Sequence, residues 1–230
     1  MTNEHRIDVV HVVIPARDEE AYLPRALASL EAAMAAVPSP LSVRATVVLD
    51  LCTDASLSVV SRFPWVDAVS VSCGVVGRVR SLGVDRARDG ATDPGAVWIA
   101  CTDADTVVPP SWLVEQLVLA AQGRELVVGT VRPDSVDLPP DVLAAWESRH
   151  ELGEGHTHVH GANMGFTLAA YDRVGGFEPV SSGEDVRLVA RLQRAGVVWS
   201  ATARTQVVTS GRRVGRVADG FSSYLLELTP

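Results

Sequence analysis

The sequence predicts an α/β fold: an open, mostly parallel sheet flanked by helices. Two observations predict it. β-branched runs alternate with helical periodicities through the first two thirds of the chain. Carboxylates collect just after three of those runs. Repeated strand–helix units favour a doubly wound parallel sheet, and such sheets bind ligands beyond the C-terminal ends of their strands.

Each element follows from local pattern. Residues 8–14 are a β-branched run stopped by Pro15, which predicts a buried strand. Residues 19–36 place Tyr22, Leu23, Ala26, Leu27 and Leu30 on one helical face, and Val37-Pro38-Ser39-Pro40 ends the helix. Strands are predicted at 43–49 and 66–72, with a short helix at 54–62 between them and a longer one at 77–88 after them. Residues 96–100 form a fourth strand that runs into Thr102-Asp103-Ala104-Asp105. Ser111 is the expected N-cap of a helix through Ala121. The alternation breaks near residue 130, where Pro133, Pro139 and Pro140 predict a loop. A helix at 141–150, a strand at 161–168, an amphipathic helix at 184–195 ended by Gly196, and short strands at 197–200 and 206–209 complete the pattern.

Composition bounds the function. The 230 residues suit one domain, and 47% hydrophobic residues supply a core. A formal charge of −8 gives no general attraction to nucleic acid or anionic lipid. No apolar run is long enough for an integral membrane segment, and the first residues do not form a secretory signal, so a cytoplasmic protein is expected. Cys52, Cys73 and Cys101 lack metal-ligand spacing and are expected to be reduced thiols. All 20 basic residues are arginine, the side chain best shaped for bidentate phosphate contacts. Arg78, Arg80, Arg86 and Arg88 form one cluster and Arg204 to Arg216 another, within which Arg212, Arg213 and Arg216 are either a candidate lid over a diphosphate or a solvated tail.

The carboxylates carry the chemistry. Asp103 and Asp105 alternate, so in extended backbone they share a face and can grip one Mg2+ or Mn2+, or a ribose and the metal together. Such an ion neutralises a diphosphate and helps it leave. Glu184 and Asp185 open a helix, where the dipole stabilises an anion; Asp185 is either a cap or a general base. Gly161-Ala162-Asn163-Met164-Gly165 allows close backbone approach to a ligand. His156, His158 and His160 alternate before it, as metal ligands or as part of a polar loop. Trp146 and Tyr224-Leu225-Leu226 have three open destinations: the interior, a second subunit in a homodimer, or a membrane-bound acceptor.

The ordered set Val13-Ile14-Pro15-Ala16-Arg17-Asp18-Glu19-Glu20, Val47–Asp50, Arg80–Gly83, Asp103–Asp105, Gly161–Met164, Gly175-Gly176-Phe177 and Gly183–Asp185 resembles the family-2 glycosyltransferases of GT-A fold. The resemblance implies one GT-A-type domain over 1–230, with a nucleotide-binding half to about residue 105 and an acceptor half beyond it. It implies that Pro15, Ala16, Arg17, Glu19 and Asp50 hold the base and ribose of a UDP- or GDP-sugar, with Arg80 near the diphosphate. Asp103 and Asp105 would bind the metal, Asn163 and Glu184 would line the sugar and acceptor region, and Asp185 would be the base of an inverting transfer to an acceptor hydroxyl. Arg17 and Asp18 stand where many members have asparagine, Ser81 replaces a frequent asparagine, and the Arg-Trp signature of processive synthases is absent. Two other functions fit parts of the pattern: a haloacid-dehalogenase-type phosphatase using Asp103 and Asp105, disfavoured because its loop normally opens the domain and needs a lysine, and a non-catalytic sugar-nucleotide-binding protein.

Overall fold

The computed structural model describes residues 6–212, 215 and 221–227. Arg213 and Arg216 of the basic tail lie outside the described residues, as does the Tyr224 side chain.

The first half is a run of strand–helix units. Strand β1 (Val9–Ala16) is buried along nearly its whole length, as a strand covered on both faces must be. Helix α1 (Leu23–Ala35) covers one face with Leu23, Ala26, Leu27, Leu30 and Ala33. It starts at Leu23 rather than Glu19 because residues 17–20 are held in a turn. Strands β2 (Ser42–Asp50) and β3 (Val66–Val71) flank α2 (Ser56–Val60) in the chain. Helix α3 (Val76–Arg88) then crosses back to β4 (Val97–Cys101) on the other side of β1. The order β3-β2-β1-β4 is wholly parallel. The order in which strands are added reverses between β1 and β4, the switch point where such sheets bind ligands. Gly83 lets α3 lie close on β1, because a Cβ there would collide with the Val13 side chain.

The second half is mixed. Strand β5 (Thr106–Val107), α4 (Trp112–Ala121), β6 (Leu126–Pro133), α5 (Pro140–Arg149), β7 (Met164–Thr167), α6 (Leu168–Arg173), α7 (Glu184–Arg194), β8 (Trp199–Thr209) and α8 (Phe221–Glu227) follow in order. The described residues form one eight-stranded sheet, β3-β2-β1-β4-β7-β6-β8-β5. Strand β7 runs antiparallel to both β4 and β6, β6 runs parallel to β8, and β5 runs antiparallel to β8.

Three local expectations change. The prolines after residue 130 do not begin a loop at once: Pro133 is the last residue of β6, paired in register with Thr209. The two short strands expected near 197–209 are one long β8, whose pairing to β6 shifts register between Gly129 and Val131. The strand expected from Gly161 begins at Met164, and Leu168 opens α6, capped by Thr167 Oγ1 accepting from Ala170 N at 3.2 Å.

Large side chains fill both faces of the sheet, among them Trp98, Trp112, Phe166 and Met164. Trp146 and Leu225 pack with Leu138 and Val142 in a separate cluster, so of the three destinations left open they take the interior. Among the described residues no helix is long and apolar enough to cross a membrane.

Candidate active site

The loops after β1 and β2 are stitched together. Asp18, at φ 52°, accepts from the backbone N–H of Thr53 at 2.6 Å and of Asp54 at 3.2 Å. Ser56 Oγ accepts from Glu19 N at 2.8 Å, and Glu20 accepts from Ala55 N at 2.7 Å. Leu51 also has positive φ, 53°, unusual for a branched residue and held by this lattice of bonds. Asp18, Cys52 and Asp54 bring their ligand atoms within 4.8 Å of one another, and both aspartates already accept backbone N–H groups there. Pro15 and Ala16 finish β1 beneath this turn, with Arg17 exposed above them. Asp50 is 5% exposed and turned toward the loop before α3, where it accepts from Cys73 N at 2.6 Å and Gly74 N at 3.0 Å. It ties the end of β2 to the loop before α3.

The Asp103–Asp105 segment is a turn and not extended backbone: Thr106 N donates to Asp103 O at 3.2 Å, and Ala104 is buried. The two carboxylates therefore diverge to different partners instead of sharing one strand face. Asp103 meets Arg80, whose Nη2 donates to it at 2.6 Å, while Arg80 Nε donates to Glu184 at 2.9 Å. Arg80 is 3% exposed, and these two carboxylates supply the counter-charge its burial requires. Burial pushes the neighbouring Cys101 thiol up to about 12, so it is a neutral wall of the site. Asp105 accepts from Thr209 Oγ1 at 3.2 Å and lies 3.0 Å from Arg212 Nη2. Burial, and then the charge of Asp103, push the Asp105 carboxyl up to about 6.

Helix α7 brings Asp185 to the same wall. Gly183 precedes it in the left-handed region, and Asp185 Oδ1 accepts from Val186 N at 2.8 Å. Its Oδ2 accepts from Gly161 N at 2.6 Å. Each oxygen keeps acceptor capacity beyond that one bond. Gly161 is required: a Cβ there would collide with the Arg80 guanidinium. Glu184, Arg80, Asp103, Gly161 and Asp185 are thus one contiguous set, and Asp105, Arg212 and Glu19 continue it across the switch point.

Asn163 departs from its expected place against the ligand. It is 1% exposed, donates to the carbonyls of Thr130 at 2.7 Å and Thr205 at 2.6 Å, and accepts from Trp112 Nε1 at 2.9 Å. Its amide bolts β6, β8 and α4 together. The histidines stack instead of converging. His158 lies 5.2 Å from His150, 6.0 Å from His156 and 6.3 Å from His160, centroid to centroid, with Trp146 stacked on His150 at 4.4 Å. Among the described residues the only three-ligand group is Asp18, Cys52 and Asp54. The contact of Arg212 with Glu19 and Asp105 was not legible in the sequence, which offered Arg212 only as part of a basic tail.

The family description "Glycosyl transferase family 2" matches residues 11–174. The chain belongs to glycosyl transferase family 2. That membership overturns the phosphatase reading of Asp103 and Asp105. No curated protein matches the sequence. Solved structures share the fold. S. aureus TarS 1-349 in complex with UDP-GlcNAc is 14% identical with TM-score 0.68, over 92% of this chain and 61% of that one. The mannosyltransferase PcManGT from Pyrobaculum calidifontis, in complex with GDP-Man and Mn2+, is 19% identical with TM-score 0.63, over 92% and 59%. GalNAc-T7 with UDP, GalNAc and Mn2+ is 12% identical with TM-score 0.66, over 94% and 47%. The chain thus spans about three fifths of the TarS and PcManGT chains. Its fold is the GT-A fold.

The candidate site has the charge and donor set for a divalent cation. Glu19, Asp103, Asp105, Glu184 and Asp185 outnumber Arg80 and Arg212 five to two. All the acidic donors are oxygens, which suit Mg2+ and Mn2+. Asp103 and Asp105 have no third protein ligand close enough to complete a set, among the described residues. Remaining positions on an ion would fall to a ligand's own oxygens.

Proposed function

We propose that this domain transfers a sugar from a UDP- or GDP-sugar to an acceptor hydroxyl, with inversion. One observation carries the proposal: Arg80 ties Asp103, at the end of β4, to Glu184, at the start of α7. The acidic loop on the donor side and the helix bearing Asp185 therefore share a single wall. Neighbours crystallised with UDP-GlcNAc, with GDP-Man and Mn2+, and with UDP and Mn2+ support a nucleotide-sugar donor and a divalent cation.

In this reading the region to about residue 105 holds the nucleotide, with base and ribose over the Pro15–Glu19 turn. Asp50 and Arg80 act beneath, fixing the loop at Cys73–Gly74 and the two acidic loops. Asp103 and Asp105 would hold Mn2+ or Mg2+, which supplies positive charge to the departing diphosphate. The region beyond about 106 receives the acceptor. Asp185 takes the proton of the acceptor hydroxyl as that oxygen bonds the sugar's anomeric carbon. The bond from that carbon to the diphosphate breaks, and the nucleoside diphosphate leaves with its electron pair. Asn163 acts at a distance, by holding β7 against β6 and β8.

Thermal shift with UDP, GDP and their sugars, with and without Mn2+, tests the donor class through ligand-linked stabilisation. The expected pattern is a metal-dependent rise for one nucleotide family; no rise with any of them rejects the reading. Asp185→Asn should keep that rise and lose transfer by at least about a hundredfold, the lower range for a general base. Wild-type transfer by this variant rejects the base assignment.

A further inference from the structure

Arg212 occupies Asp105 in a pose that is built in detail. Its Nη1 and Nη2 each donate to Glu19 at 2.6 Å, and Nη2 also lies 3.0 Å from Asp105 Oδ2. Its guanidinium carbon sits 5.2 Å from the centre of the Tyr22 ring. The backbone beneath is tethered: Ser210 N donates to Asp105 O at 3.1 Å, and Gly211 N to Asp137 at 3.0 Å. A Cβ at Gly211 would crowd Leu138 and Asp137, so the segment is shaped to bring Arg212 to this point.

The other Asp105 oxygen already accepts from Thr209. A cation that binds Asp105 Oδ2 competes with Arg212 Nη2 for that oxygen and meets the positive charge of the guanidinium, and if it arrives alone the displaced N–H is left without its carboxylate. A diphosphate arriving with the cation offers replacement oxygens, in the geometry a guanidinium fork fits best. Arg212 meanwhile stays anchored by Glu19 and Tyr22.

We propose that Arg212 is a positioning residue that couples the two ligands: it holds Asp105 while the site is empty and moves to the diphosphate when nucleotide and cation enter together. The proposal rests on the donor reading above, and its test separates from that reading. Titration calorimetry with Mn2+ alone, with UDP or GDP alone, and with each nucleotide plus Mn2+ reads the coupling directly. In the wild type, Mn2+ alone should bind weakly, and each ligand should tighten the other about tenfold or more. In Arg212→Gln, Mn2+ alone should bind at least about fivefold tighter than in the wild type, and the mutual tightening should shrink. Adding Asp105→Asn should erase that gain, which places it at Asp105. Should Arg212→Gln fail to fold, Arg212→Met decides by the same criterion, since it keeps an apolar stem beside Tyr22 and has no N–H to hold Asp105. Mn2+ binding no tighter in the variant, or a gain that survives Asp105→Asn, overturns the proposal. Failure of both nucleotides to bind either protein would instead overturn the donor reading, while the Mn2+ arms still decide the role of Arg212.

Discussion

Replacing Asn163 by alanine tests whether that amide is a bolt of the fold or a ligand contact. The substitution orphans the Trp112 indole N–H and removes a donor from the carbonyls of Thr130 and Thr205. A buried polar group left without its partner costs about 1–3 kcal/mol. The carbonyls keep other acceptor options and count less than the N–H, and the loss of side-chain volume adds a cavity term. The total is about 3–5 kcal/mol, a large part of the about 5–15 kcal/mol that holds a domain folded. With a urea slope near 3 kcal/mol/M, at the upper end of the usual range, the midpoint should fall by roughly 1–1.7 M. Trp112→Phe removes the indole N–H, so in the Asn163→Ala background it should cost about 1 kcal/mol less than in the wild type. Nucleotide affinity of the folded variant should stay near wild type. A stability loss under about 1 kcal/mol together with lost nucleotide binding would refute the bolt and return Asn163 to the ligand.

Two further outcomes follow from packing and burial. Burial, and then the charge of Arg44, hold the His11 pKa down at about 4 against 6.5. The unfolded chain binds the extra proton between those values, so the stability His11 protects is complete above pH 6.5 and drains as pH falls toward 4. His11→Gln should flatten the urea-measured acid slope in that window by up to about 1.4 kcal/mol per pH unit, and an unchanged slope would contradict the burial argument. Gly83→Ala should destabilise by about 1–3 kcal/mol through the Val13 contact; Val13→Ala should recover part of the loss, and additive losses would show that the helix is displaced for another reason.

What the sequence made legible was periodic. The β-branched runs at β1, β2 and β4 and the apolar stripes of α1 and α7 report their own burial, so those elements could be placed from the chain alone. The edge where the acidic residues gather was legible for the same reason: it follows from strand direction. The C-terminal half was harder. Strand β6 ends at a proline, and β8 joins β6 through a register shift, so neither shows a clean period of two. Side-chain partnerships were not legible at all. Arg80 and Glu184 are 104 residues apart, and Arg212 and Glu19 are 193 apart. No local pattern encodes such pairs; they exist because β7 inserts between β4 and β6 and because β8 leads back to the turn after β4.

That insertion of β7 has a mechanical consequence. It is laddered to β4 on one side and β6 on the other, so backbone hydrogen bonds run unbroken from the strands of the first half to those of the second. Jaw-like opening between the halves would have to tear a ladder buried beneath helices. The turn bearing Asp103 follows directly from a strand of that continuous sheet, so large movements are left to the chain segments at its rim.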